Sequence, residues 1–265
     1  MAKIKFHLLI IAFNFIFFNY SLASDKYTVI KVMGSIVVKK TGVQLSQGDV
    51  ILDDEPIVFK SPDAKASVIS AIKGRFVLSA GNKQNNNSAL KSNLLPPISN
   101  ISSRSGLILN LNDFKTNFNG NYLILNKAEF PVSKVNFPMN DSCFFYFSYN
   151  YNNEAINKKL KHKQDTLLII EKELYMLDGK EVAKAESTGV KLNYISGKKV
   201  FFINEFTIIT PPNENLVNEV KLILDQSKNK KKNEIVKDVV SYFNEFYGKC
   251  DEDNVLIWLK DNFGI

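Results

Sequence analysis

In the stretch "VIKVMGSIVVKKTGVQLSQGDVI", Val29 to Ile51, short β-branched runs stop at Gly34, Gly42 and Gly48. This pattern constrains the fold more than any other part of the chain. A helix would need apolar residues every three or four positions, and each interior glycine would cost it about 1 kcal/mol relative to alanine. Strands joined by tight turns accept glycine, because it reaches the positive φ that such turns require. The same pattern continues through "VIL", "IVF" and "KASVISAI", separated by "DDEP" and "SPDA", until Lys73-Gly74 turns into "RFVLS". In the longest run Ala66, Val68, Ser70 and Ile72 alternate with Lys65, Ser67, Ile69 and Ala71. Residues 24–80 are therefore expected to form a small antiparallel β-meander domain.

Four segments of this region resemble a known family. They are "GSI" at Gly34 to Ile36, "LSQGDVI" at Leu45 to Ile51, the small residues Ala64 and Ala66 before a strand, and "KGRFVL" at Lys73 to Leu78. Together they are similar to a FecR-type β-domain, which has a Gly-x-Val start, a Leu-x-x-Gly-Asp turn and a later Asp-Gly turn. Lys73 stands where that family has Asp. The resemblance covers about a fifth of the chain. It implies a periplasmic β-module, but not the anti-sigma role, whose cytoplasmic and membrane-spanning segments find no counterpart here.

The N-terminal residues bear on compartment. Lys3 and Lys5 precede the apolar run "FHLLIIAFNFIFF", and Ser21 and Ala23 supply small residues for a cut after Ala23. This reads as a secretory signal peptide over residues 1–23, with a mature chain starting at Ser24. The run is shorter than the roughly 20 residues that span a bilayer, and Asn14 interrupts it. No later stretch has the length and apolarity of a span, so the exported chain, periplasmic or secreted, is expected to carry no stable membrane span. The net charge of +7 falls to +5 once Lys3 and Lys5 are removed. An exported protein seldom meets nucleic acid, and "KNKKK" at Lys228 to Lys232 lacks interleaved aromatics, so no nucleic-acid partner is expected.

Residues 81–105 shift to Asn, Ser and Pro and read as a polar linker, with one docked segment at Leu94 to Pro97. From Gly106, strands return as "LILNL", "NYLIL", "CFFYFSY", "TLLIIE", "ELYML", "VKLNYI" and "KVFFI". "LDGK" and "SGK" supply hairpin turns, and "NNEAINKKLK" is the one helical turn expected among them. After Pro211-Pro212 the period changes to three and four. Three helices are expected, with stripes at Leu216, Val217, Val220, Ile223 and Leu224, then at Ile235 through Tyr247, then at Val255, Trp258, Leu259 and Phe263. Residues 106–265 thus read as a larger, sandwich-like β-layer with C-terminal helices. The whole chain is mainly β with C-terminal helices, an α+β protein.

Residues that could carry chemistry are few. His162 lies in the charged "KLKHKQ", where a solvated ring is expected rather than a catalytic imidazole held by packing. One mature histidine and two distant cysteines exclude the usual zinc spacings, and no glycine-rich phosphate loop follows a strand. No cofactor is expected. "DDE" at Asp53 to Glu55 reads as a turn, and "DED" at Asp251 to Asp253 as the acidic start of a helix. Export would make a Cys143–Cys250 bridge chemically accessible, although an unbridged thiol inside "CFFYF" would be ordinary.

Two apolar features remain. In "SCFFYFSYNYNN" one face of a strand offers Phe145, Phe147, Tyr149 and Tyr151, and the other offers Phe144 and Tyr146. Buried, these rings build a core; exposed at the strand end, Tyr149, Tyr151 and Asn152 would serve a glycan or cell-wall ligand. Likewise Trp258 and Phe263 either close the β-layer or form a partner site. The function expected from these residues is that of a non-enzymatic envelope protein binding other envelope proteins. The alternative is a carbohydrate or cell-wall ligand binder.

Overall fold

The computed structural model describes residues 24–80, 90–97, 106–228 and 230–265. The signal segment 1–23 and most of the linker 81–105 lie outside the described residues. The protein is mainly β with C-terminal helices, built as two β-units that share a helical core.

The first unit holds β1 (Lys26–Met33), β2 (Ile36–Val38), β3 (Val50–Leu52), β4 (Ile57–Phe59), β5 (Lys65–Ser70), β6 (Gly74–Ser79) and β7 (Leu94–Leu95). Its main sheet has the order β3-β1-β5-β6-β7, and β2 pairs with β4 in a separate ribbon. All pairs are antiparallel. Strands β5, β6 and β7 follow one another as a meander, whereas β1 stands between β3 and β5. Gly34 (φ +73°) makes the turn from β1 into β2, and a Cβ there would come within 3.0 Å of Ala64 Cβ. The segment expected to dock does so: Leu94 and Leu95 pair with Leu78 and Val77.

The second unit begins with α1 (Leu111–Asn117), then β8 (Asn121–Leu123), β9 (Lys127–Pro131), β10 (Cys143–Tyr151) and β11 (Glu154–Lys159). It continues through β12 (Lys161–Lys163), β13 (Thr166–Ile170), α2 (Glu171–Leu174), β14 (Met176–Leu177), β15 (Lys180–Glu181), β16 (Ser187–Ser196) and β17 (Lys199–Ile209). A five-stranded sheet, β11-β10-β16-β17-β8, packs against a three-stranded one, β12-β13-β9. Between them lie the rings of Phe114, Phe118, Phe130, Phe145, Phe147 and Phe206, all buried. Phe118–Phe130 and Phe147–Phe206 meet edge-on with centroids 4.7 and 5.8 Å apart, and Phe114 stacks on Phe118 at 6.1 Å, arrangements that ring quadrupoles favour.

Three local readings are corrected here, and the simplest is "ELYML", which is extended only at Met176–Leu177 because Glu171–Leu174 make the single turn α2. "NNEAINKKLK" is no helical turn: Asn152 and Asn153 take φ +49° and +67° as the tight turn of a hairpin, and β11 follows. Asparagine reaches this region more easily than other non-glycine residues, and the twist of such turns matches the strands they join. Conversely "LILNL" is only briefly extended. Ile108 bridges to Val132, and Asn110 then caps α1, accepting from Asn112 N and Asp113 N while Asp113 Oδ2 accepts from Asn110 N. This reciprocal cap stops the strand, because it satisfies backbone donors that a ladder would otherwise need.

The C-terminal helices are α3 (Asn213–Asp225), α4 (Lys232–Phe246) and α5 (Glu252–Phe263). Asp251 caps α5, accepting from Asn254 N at 3.0 Å, with Glu252 and Asp253 in the first turn where carboxylates favour the helix dipole. The stripes expected from the sequence are buried, apart from the half-buried Val217, Leu224, Ile235 and Phe263, and their partners come from both units. Ile30 and Ile69 of the first sheet, Leu123 of β8 and Leu125 just after it join Val220, Val240, Phe243 and Trp258 in one core. Between α4 and α5, Gly248 (φ +121°) passes so close to β8 that a Cβ would meet Asn121 O at 2.5 Å. This approach lets Lys249 N bond Asn121 O and Leu123 N bond Lys249 O, both at 2.8 Å.

Candidate functional site

Residues named from the sequence as binding candidates are mostly inside. Tyr149 is buried in the sandwich, and its hydroxyl donates to the Leu174 carbonyl. Tyr151 is half-buried against the same core, and only Asn152, in the hairpin turn, is exposed. Burial raises the Tyr149 hydroxyl above the ordinary tyrosine value. A glycan platform at this strand end is therefore not formed, since its first ring lies between sheets. Trp258 is likewise a core residue. It is 2% exposed, donates from Nε1 to Asn213 Oδ1 at 2.8 Å, and lies edge-on to Phe243 and Phe263 at 5.7 and 5.8 Å. A partner surface built on Trp258 would require the helices to open.

Cys143 and Cys250 are thiols and do not bridge. Cys143 starts β10, where the Gly197 backbone N–H, and then the Ser196 and Ser142 hydroxyls, hold its thiol below the ordinary value. Cys250 lies in the helical core, where burial pushes its thiol up. The two belong to different layers, and no cross-brace joins them. His162 is exposed, with Nδ1 3.2 Å from Gln164 O. Among the described residues no group of three His, Cys, Asp or Glu side chains could hold a metal ion, and no helix is long and apolar enough to cross a membrane.

The helices grip the first sheet through polar contacts from Arg75, Lys31 and Lys65, the last donating from Nζ to the Glu245 carbonyl at 2.6 Å. Arg75, on β6, pairs through Nη1 with Glu245 of α4, their side chains 1% and 3% exposed, and donates from Nη2 to Ser241 Oγ at 2.7 Å. Lys31, on β1, reaches Glu219 Oε1 of α3 at 2.9 Å and the Tyr247 hydroxyl at 2.7 Å. The Tyr242 and Tyr247 hydroxyls donate to Glu219 Oε2 at 2.7 and 2.6 Å. Burial, and then the Glu219 carboxylate, push both hydroxyls well up, so they stay protonated as donors. These groups are committed to one another, and they hold the molecule together.

What remains open is the outer side of the five-stranded sheet. Cross-strand pairing arranges it in rows, because directly opposed residues share a face. Phe144, Ile195 and Val200 form one row; Lys159, Tyr146, Asn193 and Phe202 the next; Asn157, Ser148, Lys191 and Glu205 the third. Val200 and Phe202 are 59% and 57% exposed, and Phe144, Tyr146 and Ile195 are half-buried. The Lys159 ammonium stands 4.4 Å over the Phe144 ring. Phe144 and Tyr146 are tilted by 59°, with centroids 6.4 Å apart. Asn193 spends its amide nitrogen on Ser148 Oγ and Lys191 O, at 3.3 and 3.1 Å. The result is an apolar strip of three strands flanked by lysines.

Sequence reasoning placed Phe144 and Tyr146 on one strand face, but not Val200 and Phe202 beside them. The signal was present in "KVFFI": three consecutive large apolar residues cannot all point inward from a strand of period two.

No protein-family model, curated protein or solved structure matches the chain.

Proposed function

We propose that this is a non-enzymatic, exported envelope protein that works by holding another envelope protein on the outer side of its five-stranded sheet. The observation that carries this reading is the strip Phe144, Tyr146, Ile195, Val200 and Phe202, which crosses three neighbouring strands on the side away from the core. Aromatic residues grouped at the centre of a patch and ringed by polar groups are where protein contacts concentrate their energy. Lys159 and Lys191 beside the strip suit a partner surface with an apolar centre and acidic flanks.

A glycan ligand is the weaker reading. Sugars stack on coplanar exposed rings and need adjacent amides to fix their hydroxyls. Here the two half-buried rings are inclined to each other, and the central amide is already bonded within the sheet. The signal-like N-terminus and the FecR-like turns of residues 24–80 support export and an envelope setting.

The Tyr146→Ser/Phe202→Ser double variant tests the reading. Both positions stand outside the core, so the variant should fold with only a modest change in stability, about 1 kcal/mol or less. Its co-purification with the envelope partner of the wild-type protein should fall at least about tenfold. Unchanged recovery of that partner by a folded variant would reject the sheet face as the site.

A further inference from the structure

Among the described residues, the five-stranded sheet ends on one side in an uncovered strand. Its other edge, β8, is closed by the chain itself, since Leu123 N bonds Lys249 O and Lys249 N bonds Asn121 O. The β9 edge of the smaller sheet is closed too: Asn254 Oδ1 accepts from Glu129 N, and Ile108 N bonds Pro131 O. β11 instead has β10 on one side and, among the described residues, no strand on the other. Leu160 N bonds Phe145 O, and bonding alternates along an antiparallel pair, so Glu154, Ile156 and Lys158 turn their backbone groups to β10. Ala155, Asn157 and Lys159 turn theirs outward, where no bond among the described residues meets them. Such a row of N–H and carbonyl groups at strand spacing is a template for one more strand.

The side chains of β11 select that strand. Glu154, Ile156 and Lys158 lie on the core side, opposite Tyr151, Tyr149 and Phe147, the acid exposed and the other two half-buried. Placed antiparallel to a second copy with Ile156 opposite Ile156, the segment "EAINKK" is its own complement. Glu154 of each copy then faces Lys158 of the other, and the apolar pair sits between the two ion pairs. Centring the pair on Asn157 or Ala155 sets Ile156 against a charge, and centring it on Lys158 opposes two lysines. We propose that two copies of this chain pair antiparallel through β11, joining their five-stranded sheets into one continuous sheet about a two-fold axis. Edge lysines ordinarily deter an incoming strand, but here the same strand carries the answering acid. Lys158 Nζ donates to the Met176 carbonyl, and an ammonium keeps further donors for a second acceptor. Both outer sheet faces end on the same side of the dimer, because directly opposed residues share a face. The inference does not depend on what those faces bind.

Sedimentation velocity over a concentration series tests this with the chain from Ser24 to Ile265. The wild-type chain should pass from monomer to dimer as concentration rises, since one short edge buries too little for a permanent complex. Glu154→Lys and Lys158→Glu should each weaken the dimer at least about tenfold. Glu154→Lys/Lys158→Glu restores the opposite charges and should recover most of that loss. Glu154 is exposed, so its variant keeps the test decisive should Lys158→Glu fold poorly. With Cys143→Ser and Cys250→Ala removing the native thiols, Ile156→Cys should form a disulfide-linked dimer on mild oxidation. A non-hydrogen-bonded pair brings its Cα atoms to about 4.5 Å, within reach of a bridge. Ala155→Cys should not link, because the residue opposite it is Asn157. Tyr146→Ser/Phe202→Ser should dimerise as the wild type does. A wild-type chain that stays monomeric, or a Glu154→Lys variant that dimerises as well as wild type, would overturn the inference. So would linkage from Ala155→Cys without linkage from Ile156→Cys, or loss of the dimer in Tyr146→Ser/Phe202→Ser, which would place the contact on the sheet face.

Discussion

Glu245→Ala should lower the stability of the protein by about 3–5 kcal/mol, the cost of stranding a buried charge. Arg75 is 1% exposed and lies under α4, so water cannot replace the lost carboxylate without opening the helix from the sheet. Ser241 would still accept from Nη2, and the Tyr242 ring, 5.8 Å from the guanidinium carbon, would still offer its face. Neither carries a full negative charge. The Arg75→Met/Glu245→Leu variant should recover most of the loss, because a buried ion pair contributes little beyond a well-packed apolar pair. Urea denaturation of the three proteins checks this. A Glu245→Ala change within about 0.5 kcal/mol of wild type would mean that the pair is hydrated.

Trp258→Ala should be comparably severe, about 3–5 kcal/mol, for a different reason. The indole fills the centre of the helical core between Phe243 and Phe263, and its removal leaves a cavity that three short helices cannot collapse around. It also removes the bond from Trp258 Nε1 to Asn213 Oδ1, one of two that tie the start of α3 to α5. Thermal unfolding should show a fall in Tm of roughly 10 °C, on the usual scaling for a chain of this size. A folded variant with unchanged Tm would place the residue on a surface instead.

These two residues illustrate what was legible in the sequence. The three- and four-residue spacing around Trp258 required a buried stripe, and the stripe is buried. What covers it was not legible. Ile30 and Ile69 sit in strands of the first unit like any core residue, and nothing in their spacing says that one sheet face meets helices roughly 150 to 230 residues later. Arg75, Glu219 and Glu245 read as ordinary solvated charges, because a charge gives no sign of its burial until its partner is brought to it. The turn glycines behave otherwise, since Gly34 and Gly48 act within a few residues of themselves and their positive φ could be anticipated.

The aromatic run shows the same division. Period-two alternation separated Phe145, Phe147 and Tyr149 from Phe144 and Tyr146 correctly. Both sets are aromatic, so composition could not say which one faces the second sheet. That depends on where β13 and β9 fall, a long-range matter. Tyr149 therefore lies inside the sandwich and Tyr151 against it, and the surface proposed for a partner is on the opposite side of the same strand.

The most direct test is photo-crosslinking in cells from single positions carrying a photoreactive phenylalanine. The account predicts that position 146, on the outer side of β10, captures an envelope protein, and that position 149, inside the sandwich, captures none. Capture from 149 with none from 146, in variants that both fold, would contradict it.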